Sequence, residues 1–345
     1  MSVLLVRPAA SGGLAAHVDH ELALLTAAGW EVAEAPVRIR ERPDPLEDLR
    51  TVRTLRRMLA TALEPVTLHA HGLRAGALAA AAMPGHGRHR LVVTLHNRTV
   101  GSRATRAVGA VLLRVLARGA DAVLAVSPDL AEAARAAGAR EVHHAIIPAP
   151  AHDTPVQDAA VAPPRQVDDP ALLQALVIAR LAPQKGLHDL LDAAALLGAS
   201  AGLRIRIAGD GPLHEELARR VRAERLPVEL LGRREDVPAL LAASDLVVSA
   251  AHWEGQPVSL QEALRAGRAI VATDAGGTRW VTADAAHLVP VGDPAALAAA
   301  ITALRDPAAR HAAEQASLRR ASALPTAQDL LAQLDEVLAP AACRW

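Results

Sequence analysis

The strand-then-helix pattern of this chain runs through twice, and that repetition limits its fold more than any other feature. β-rich runs are expected at Val3 to Val6, Val32 to Val37, Val66 to His69, Leu91 to Leu95, Ala122 to Val126 and Val142 to Ile147. Amphipathic stretches such as Leu14 to Ala28, Leu46 to Leu63 and Ala104 to Ala117 lie between them. The pattern stops from Pro148 to Pro170, where six prolines and no apolar period mark a linker. It restarts with runs at Ala175 to Ile178, Leu203 to Ala208, Val228 to Leu231, Leu246 to Ser249, Ala269 to Ala272 and His287 to Val289. Continuous apolar strands alternating with helices predict parallel sheets covered on both faces. The expected architecture is α/β: two doubly wound, Rossmann-like domains, residues 1–150 and 171–322, facing each other across a cleft. Residues 151–170 would join them, and a final helix within 323–345 can cross back to the first domain. Such folds bind ligands beyond the carboxyl ends of their strands, so the junction is the expected site.

Composition removes several classes of function. Phe and Tyr are absent, and Trp30, Trp253, Trp280 and Trp345 are the only aromatic residues, so platforms for stacking bases are missing. A formal net charge of zero argues against a nucleic-acid or other general polyanion binder. Up to Arg165 there are 19 arginines against 15 acidic residues, a mild excess compatible with an acidic partner or membrane surface. Cys343 is the single cysteine, which leaves no intramolecular disulfide and no cysteine-based zinc site. The apolar run Ser2 to Arg7 is too short for a signal peptide, and no stretch reaches membrane-spanning length. A cytoplasmic protein is expected.

Of the 37 basic residues one is lysine, Lys185, in Arg180-Leu-Ala-Pro-Gln-Lys185-Gly186. A compact ammonium and a planar guanidinium fork are not interchangeable at a tight anion site. A strand ending at Ala179 delivers Arg180, and Lys185 follows at the entry to a helix, Leu187 to Leu197. Two cations beside helix-start N–H groups make a diphosphate site. There is no Asp-x-Asp and no clustered His/Cys set, so protein cations rather than a metal are expected to neutralise the leaving group. Ser11-Gly12-Gly13 and Ala208-Gly-Asp-Gly-Pro212 each suit a tight turn as well as a ligand contact, with Pro212 fitting a first helical turn.

The most specific segment is Glu254-Gly-Gln-Pro-Val-Ser-Leu-Gln-Glu262. Glu254 falls in the loop after a strand, Pro257 is placed to start a helix, and Glu262 lies a turn or more into it. One carboxylate in the loop and one on the helix can hold two separate sets of hydroxyls, as a sugar ring and a ribose present. The alternative is two ordinary glutamates favoured by a helix N-terminus.

In these segments the chain resembles the retaining glycosyltransferases of family 4, which have the two-domain GT-B fold. The resemblance spans nearly the whole chain and is strongest from Ala175 to Pro290. There Ala179-Arg-Leu-Ala-Pro-Gln-Lys-Gly186, Gly209-Asp-Gly-Pro212 and Glu254-x7-Glu262 follow in the family's order. It implies that Arg180 and Lys185 hold the donor diphosphate, that Glu254 contacts the transferred sugar, and that Glu262 binds the nucleotide ribose. Amides at Gln256, Pro257 and Val258 are implied to touch phosphate and sugar, and the base to sit against Gly232-Arg233-Arg234. The Gly12-Gly13 loop and His96 of Thr94-Leu-His-Asn97 match acceptor-side features, Gly13 being counted among the donor contacts as well. His71 of His69-Ala-His-Gly72 fits a further family pattern. The implied substrate is a nucleotide sugar of the UDP or GDP kind, used without cofactor or metal, and the implied partner is an acceptor hydroxyl on a glycan, a small molecule or a lipid. The departing phosphate itself would take the acceptor proton, unlike a retaining hydrolase with its two carboxylates about 5–5.5 Å apart.

Three departures stand out. Trp280 follows Gly276-Gly277-Thr-Arg where the family has Glu, which bears on donor-sugar preference and loop closure. Gln256 stands where an aromatic often follows, and Ile147-Pro-Ala-Pro150 replaces an Asn-Gly segment. His96 can steer the acceptor or simply cap a strand end. His17, His20, His69, His143 and His144 read as structural or solvated. The stretches Leu46 to Leu63, with Arg50, Arg53, Arg56 and Arg57, and Arg103 to Arg118 suit an anionic membrane face or a solvated one. Competing readings are a nicotinamide-dependent dehydrogenase, which lacks its Gly-x-Gly-x-x-Gly here, a non-catalytic nucleotide-sugar binder and a non-hydrolysing sugar-nucleotide epimerase.

Overall fold

The computed structural model describes residues 2–9, 13–40, 44–85, 87–99, 101–149, 172–198 and 202–339. The expected linker 151–170, Ser11, Gly12, Pro150, Cys343 and Trp345 lie outside the described residues. Two compact units result: one runs to Ile147 and resumes at Pro325, and the other spans Pro148–Leu324.

The first unit contains β1 (Ser2–Val6), α1 (Gly13–Ala27), β2 (Glu31–Glu34), α2 (Pro45–Thr61), β3 (Val66–His71) and α3 (Leu73–Ala82). It continues through β4 (Arg90–Leu95), α4 (Arg103–Gly119), β5 (Ala122–Ala125), α5 (Pro128–Ala137) and β6 (Val142–His144). The second unit opens with β7 (Leu173–Ile178), α6 (Leu187–Leu197), β8 (Leu203–Ala208), α7 (His214–Glu224), β9 (Val228–Gly232) and α8 (Val237–Ala242). It closes with β10 (Leu246–Ser249), α9 (Val258–Arg265), β11 (Ala269–Thr273), α10 (Thr278–Thr282), β12 (His287–Val289), α11 (Pro294–Ala303) and α12 (Pro307–Ala321). A last helix, α13 (Ala327–Leu338), belongs to the first unit.

Both sheets are parallel, ordered β2-β1-β3-β4-β5-β6 and β12-β11-β10-β7-β8-β9. Each order reverses direction once, between β1 and β3 in the first sheet and between β7 and β10 in the second. Ligands of open α/β sheets gather at such switch points. Apolar residues at both parities explain why the strands are covered on both faces. Ala175 and Val177 of β7 enter one core cluster, with α6 and α11, while Leu176 enters the opposite one, with α9. Leu176 is fully buried, and truncating it to alanine would cost about 2–5 kcal/mol.

Two strands stop short of the runs expected for them. β2 ends at Glu34 rather than Val37 because Pro36 has no N–H to continue the ladder; Val37 N turns back to Ala35 O at 2.7 Å. β6 ends at His144 rather than Ile147 because Gln333 of α13 intervenes, its Oε1 accepting from Ile146 N at 2.9 Å. α13 starts at a reciprocal capping box between Thr326 and Asp329. It is tied down where Trp30 Nε1 donates to Asp335 Oδ1 at 2.9 Å, Thr67 Oγ1 to Leu338 O at 3.0 Å and Arg90 Nε to Val337 O at 2.8 Å.

Candidate active site

In the second sheet the ladder between β7 and β10 ends at Leu176–Val247, and the strand ends beyond it feed two loops. The β7–α6 loop carries Arg180 and a 3-10 turn, Pro183–Lys185. The β10–α9 loop carries Glu254. Lys185 Nζ donates to Glu254 Oε1 at 2.5 Å, joining two half-buried groups 69 residues apart. The loops are laced by main chain as well, His252 N donating to Gln184 O at 2.9 Å. Gly186 makes that approach feasible: at φ +60 a Cβ there would stand 1.8 Å from Ala250 O. Gly276 does the same for the β11–α10 loop, since its Cβ would stand 2.1 Å from Glu254 O. Gly277 N then donates to Glu254 O at 2.9 Å. Glu254 is therefore held by its side chain from one loop and by its main chain from another.

Pro257 is the N-cap residue of α9 and brings no side-chain cap. Leu260 N and Gln261 N reach Pro257 O at 3.1 and 3.2 Å, which leaves the Val258 and Ser259 amides with no acceptor among the described residues. Pro257 itself has no N–H, so of the three residues expected to present amides only Gln256 and Val258 can. Glu262 lies half-buried one turn into α9. Burial pushes the nearby Arg265 guanidinium down, and the Glu262 charge opposes that shift. α9 is fixed on the chain entering the second unit: Gln261 Oε1 accepts from Ala149 N and Arg265 Nη1 donates to Ala149 O, both at 3.0 Å.

Arg180 is exposed, and its guanidinium has no hydrogen-bond or ion-pair partner among the described residues. Its loop rests on the Gly-Asp-Gly-Pro turn, with Leu181 N donating to Asp210 O and Leu213 N to Leu181 O, both at 3.0 Å. Pro212 does not open the helix as expected. It sits in a β-turn closed by His214 N to Gly211 O at 3.1 Å, and α7 starts only at His214. Arg234 forks onto Asp236 through two hydrogen bonds of 2.8 and 2.6 Å, which raise its pKa and lower that of Asp236. Trp280 is half-buried in α10, and its carbonyl accepts from Arg320 Nη2 at 2.9 Å.

The first sheet's switch point gathers histidines. His96 lies just past β4 with Nε2 3.2 Å from His71 Nδ1, the two rings stacked at 5.4 Å. His71 Nε2 faces Glu21 Oε1 at 3.6 Å, and His17 Nε2 stands 3.8 Å from Glu21 Oε2. His69 Nδ1 donates to Glu21 Oε1 at 2.6 Å, and Thr94 Oγ1 meets its Nε2 at 2.7 Å. Burial pushes His17 down to about 4, against the Glu21 charge. Burial also pushes down His71 and His96, helped by neighbouring imidazoles. For Glu21 burial works upward, but His69 and His71 outweigh it and hold the carboxyl well below its usual range. Gly13 belongs to this unit and opens α1, exposed.

Residues 2–150 match the glycosyl transferase 4-like domain, and residues 173–306 match the glycosyl transferases group 1. The chain is a family 4-type glycosyltransferase. No curated protein is significantly similar to it in sequence. Among solved structures, Anabaena HepE in complex with UDP is similar with a TM-score of 0.71 and 20% identity, over 98% of this chain and 99% of that one. Sucrose-phosphate synthase from Thermosynechococcus elongatus gives 0.76 and 19%, over 97% and 98%. A glycosyltransferase from Rickettsia africae gives 0.70 and 14%, over 98% and 97%. At these identities the likeness establishes the GT-B fold.

Within the second unit of this glycosyltransferase, the structure brings Lys185 to Glu254 and sets both beside the start of α9. It pairs Arg234 with its own neighbour Asp236. The sequence does not single out Glu21, and it gives the histidines around it, apart from His71 and His96, a structural or solvated reading. The signal was present as His17-x3-Glu21, one helical turn apart, and His69-x-His71, on one side of a strand. What joins the two is the adjacency of β1 and β3, which no local pattern states.

Proposed function

We propose that this glycosyltransferase moves a sugar from a nucleoside-diphosphate sugar to an acceptor hydroxyl with retention at the anomeric carbon. The observation that carries the reading is the Lys185–Glu254 contact beside the uncapped start of α9. It supplies a cation for phosphate oxygens, a carboxylate for sugar hydroxyls and free amides in one cluster of loops. In this reading Arg180 and Lys185 take the diphosphate, Glu254 the sugar, Glu262 the ribose, the Gln256 and Val258 amides phosphate and sugar, and the Arg234 loop the base. An ammonium has three N–H donors; one on Glu254 leaves two for phosphate oxygens, which a flat guanidinium in the same space could not arrange. The HepE complexes with UDP and with UDP-glucose favour a uridine diphosphate sugar as the first donor to test.

The bond from anomeric carbon to leaving phosphate oxygen breaks, the bond from acceptor oxygen forms on the same face, and the acceptor proton passes to the departing diphosphate. Arg180, Lys185 and the helix amides stabilise the charge that develops, so the mechanism calls on no metal or cofactor at the diphosphate. His96 stands on the acceptor side. Val108, Val111 and Val115 are exposed on α4 among Arg103, Arg106 and Arg114, which favours a lipid-linked acceptor at an anionic membrane. No helix among the described residues is long and apolar enough to cross a membrane. The proposed location is cytoplasmic, peripheral to the inner membrane face.

A thermal-shift panel of nucleoside diphosphates and their sugars identifies the donor, and transfer of labelled sugar then tests Lys185→Ala. Losing one such contact should slow turnover roughly 100- to 1,000-fold while the fold stays intact. A variant keeping more than half the wild-type rate would refute the diphosphate role. Trp280 at the family's Glu position favours one second reading, a non-catalytic nucleotide-sugar binder, which would show donor shifts with no transfer to any acceptor.

A further inference from the structure

We propose that His17, Glu21 and His71 bind one divalent transition-metal ion inside the first unit. Each offers a ligand atom, all three residues are buried, and the ligand atoms lie within 4.8 Å of one another. Metal–N and metal–O bonds of about 2.0–2.2 Å place ligand atoms roughly 3.3–3.6 Å apart in a tetrahedral site, so a bound ion would draw the more distant of the three inward. His17 Nε2 stands 3.8 Å from Glu21 Oε2, and His71 Nε2 stands 3.6 Å from the other oxygen of the same carboxylate, Oε1.

Two polar atoms at the centre of the cluster have no hydrogen-bond partner although they are buried: Glu21 Oε2 and His71 Nε2. Orphaned buried groups are costly, and a cation between them would answer both. The other carboxylate oxygen and the other His71 ring nitrogen are already engaged. Glu21 Oε1 accepts from His69 Nδ1 at 2.6 Å, and His71 Nδ1 lies 3.2 Å from His96 Nε2. We assign the His71 proton to Nδ1, donating to His96, which turns the Nε2 lone pair inward. Metal-binding imidazoles carry such an outer partner almost without exception. His71 also lines a pocket with Gly72, Arg74, Asn97 and Thr99. Two imidazoles and one carboxylate suit zinc, cobalt, nickel or iron rather than magnesium or calcium. None of the residues proposed to hold the diphosphate takes part, so the inference does not rest on that reading.

The test uses the full chain without a histidine tag, stripped with chelator and titrated with Co2+ under visible absorption. One Co2+ per chain should bind, be displaced by Zn2+ and survive a large excess of Mg2+. Glu21→Gln and His71→Gln should each weaken binding at least about tenfold. His311→Ala, in the second unit, should leave it unchanged. Circular dichroism of the stripped variants separates loss of ligands from loss of fold. Should both variants unfold, X-ray absorption of the zinc-loaded wild type decides, with nitrogen and oxygen neighbours expected and no sulfur. Failure of the wild type to take up stoichiometric Co2+, uptake unchanged in both folded variants, or a sulfur neighbour would each overturn the assignment.

Discussion

Gly276→Ala tests whether the Glu254 carboxylate, at the centre of the proposed donor loops, owes its place to a neighbouring loop. Gly276 has φ +56, where an L side chain costs about 1–2 kcal/mol. The new Cβ would stand 2.1 Å from Glu254 O and 3.0 Å from Trp253 Nε1. No real contact is that short, so the Glu254 main chain or its partner loop must retreat by roughly 1 Å to regain van der Waals distance. The hydrogen bond from Gly277 N to Glu254 O, now 2.9 Å, then stretches, and about 1 kcal/mol goes with it. The combined loss is about 2–3 kcal/mol. At roughly 2–4 °C per kcal/mol for a domain of this size, the second unit should melt about 4–12 °C lower. A displacement near 1 Å at a positioned group costs about 100-fold in rate. Gly292→Ala is the control, because φ there is +75 and nothing lies within 4 Å of the added Cβ. It carries the backbone cost alone and should keep its transfer rate. Calorimetry and initial-rate transfer measured on both variants give the comparison. If Gly276→Ala matches Gly292→Ala in Tm and kcat, Glu254 is not anchored through Gly276.

Two further outcomes follow from the same structure. Hydrogen bonds from the Thr326 main chain and hydroxyl pull the Asp329 carboxyl below its ordinary value of 3.8. The folded value is the lower one, so its support for α13 is complete above about 3.8 and fades as pH falls through the folded value. Amide exchange in α13, corrected for intrinsic rates, should therefore speed up between pH 6 and pH 3 in the wild type and change less in Asp329→Asn; equal changes would remove the capping box as the cause. Val111 is 63% exposed on α4, and Val111→Asp should reduce co-sedimentation with anionic liposomes at low salt without changing transfer to a soluble acceptor. Unaltered sedimentation would show that α4 is an ordinary solvated face.

Both sheets were legible because a strand buried on two faces must be apolar at both parities, and runs such as Leu91 to Leu95 have no other use for so many Val and Leu side chains. The segments proposed to bind the donor stand out in the sequence for a different reason: Arg180 and Lys185 share one loop, and Glu254 and Glu262 share one loop and helix, so each spacing is local. The ends of β2 and β6 were not, because one depends on the missing N–H of Pro36 and the other on a glutamine 187 residues away. Pro212 was misplaced for the same kind of reason, its turn being drawn toward Leu181 by a bond from Leu213.

The contacts on which the proposed chemistry rests are the least local. Lys185 meets Glu254 only because β7 and β10 are neighbours, and His71 meets His17 and Glu21 only because β1 and β3 are. In each sheet these are the two strands flanking the switch point, where consecutive loops turn to opposite faces and leave room between them. A residue placed there can meet a partner that no helical or strand spacing connects it with. Strand order is a property of how the whole sheet packs, so local periodicity fixes which residues can reach a crevice but not which of them will face one another. Glu21 illustrates the limit. Its position on α1 reads as an unremarked acidic residue in an alanine-rich helix, and only the neighbouring β3 turns it into a buried carboxylate among three imidazoles.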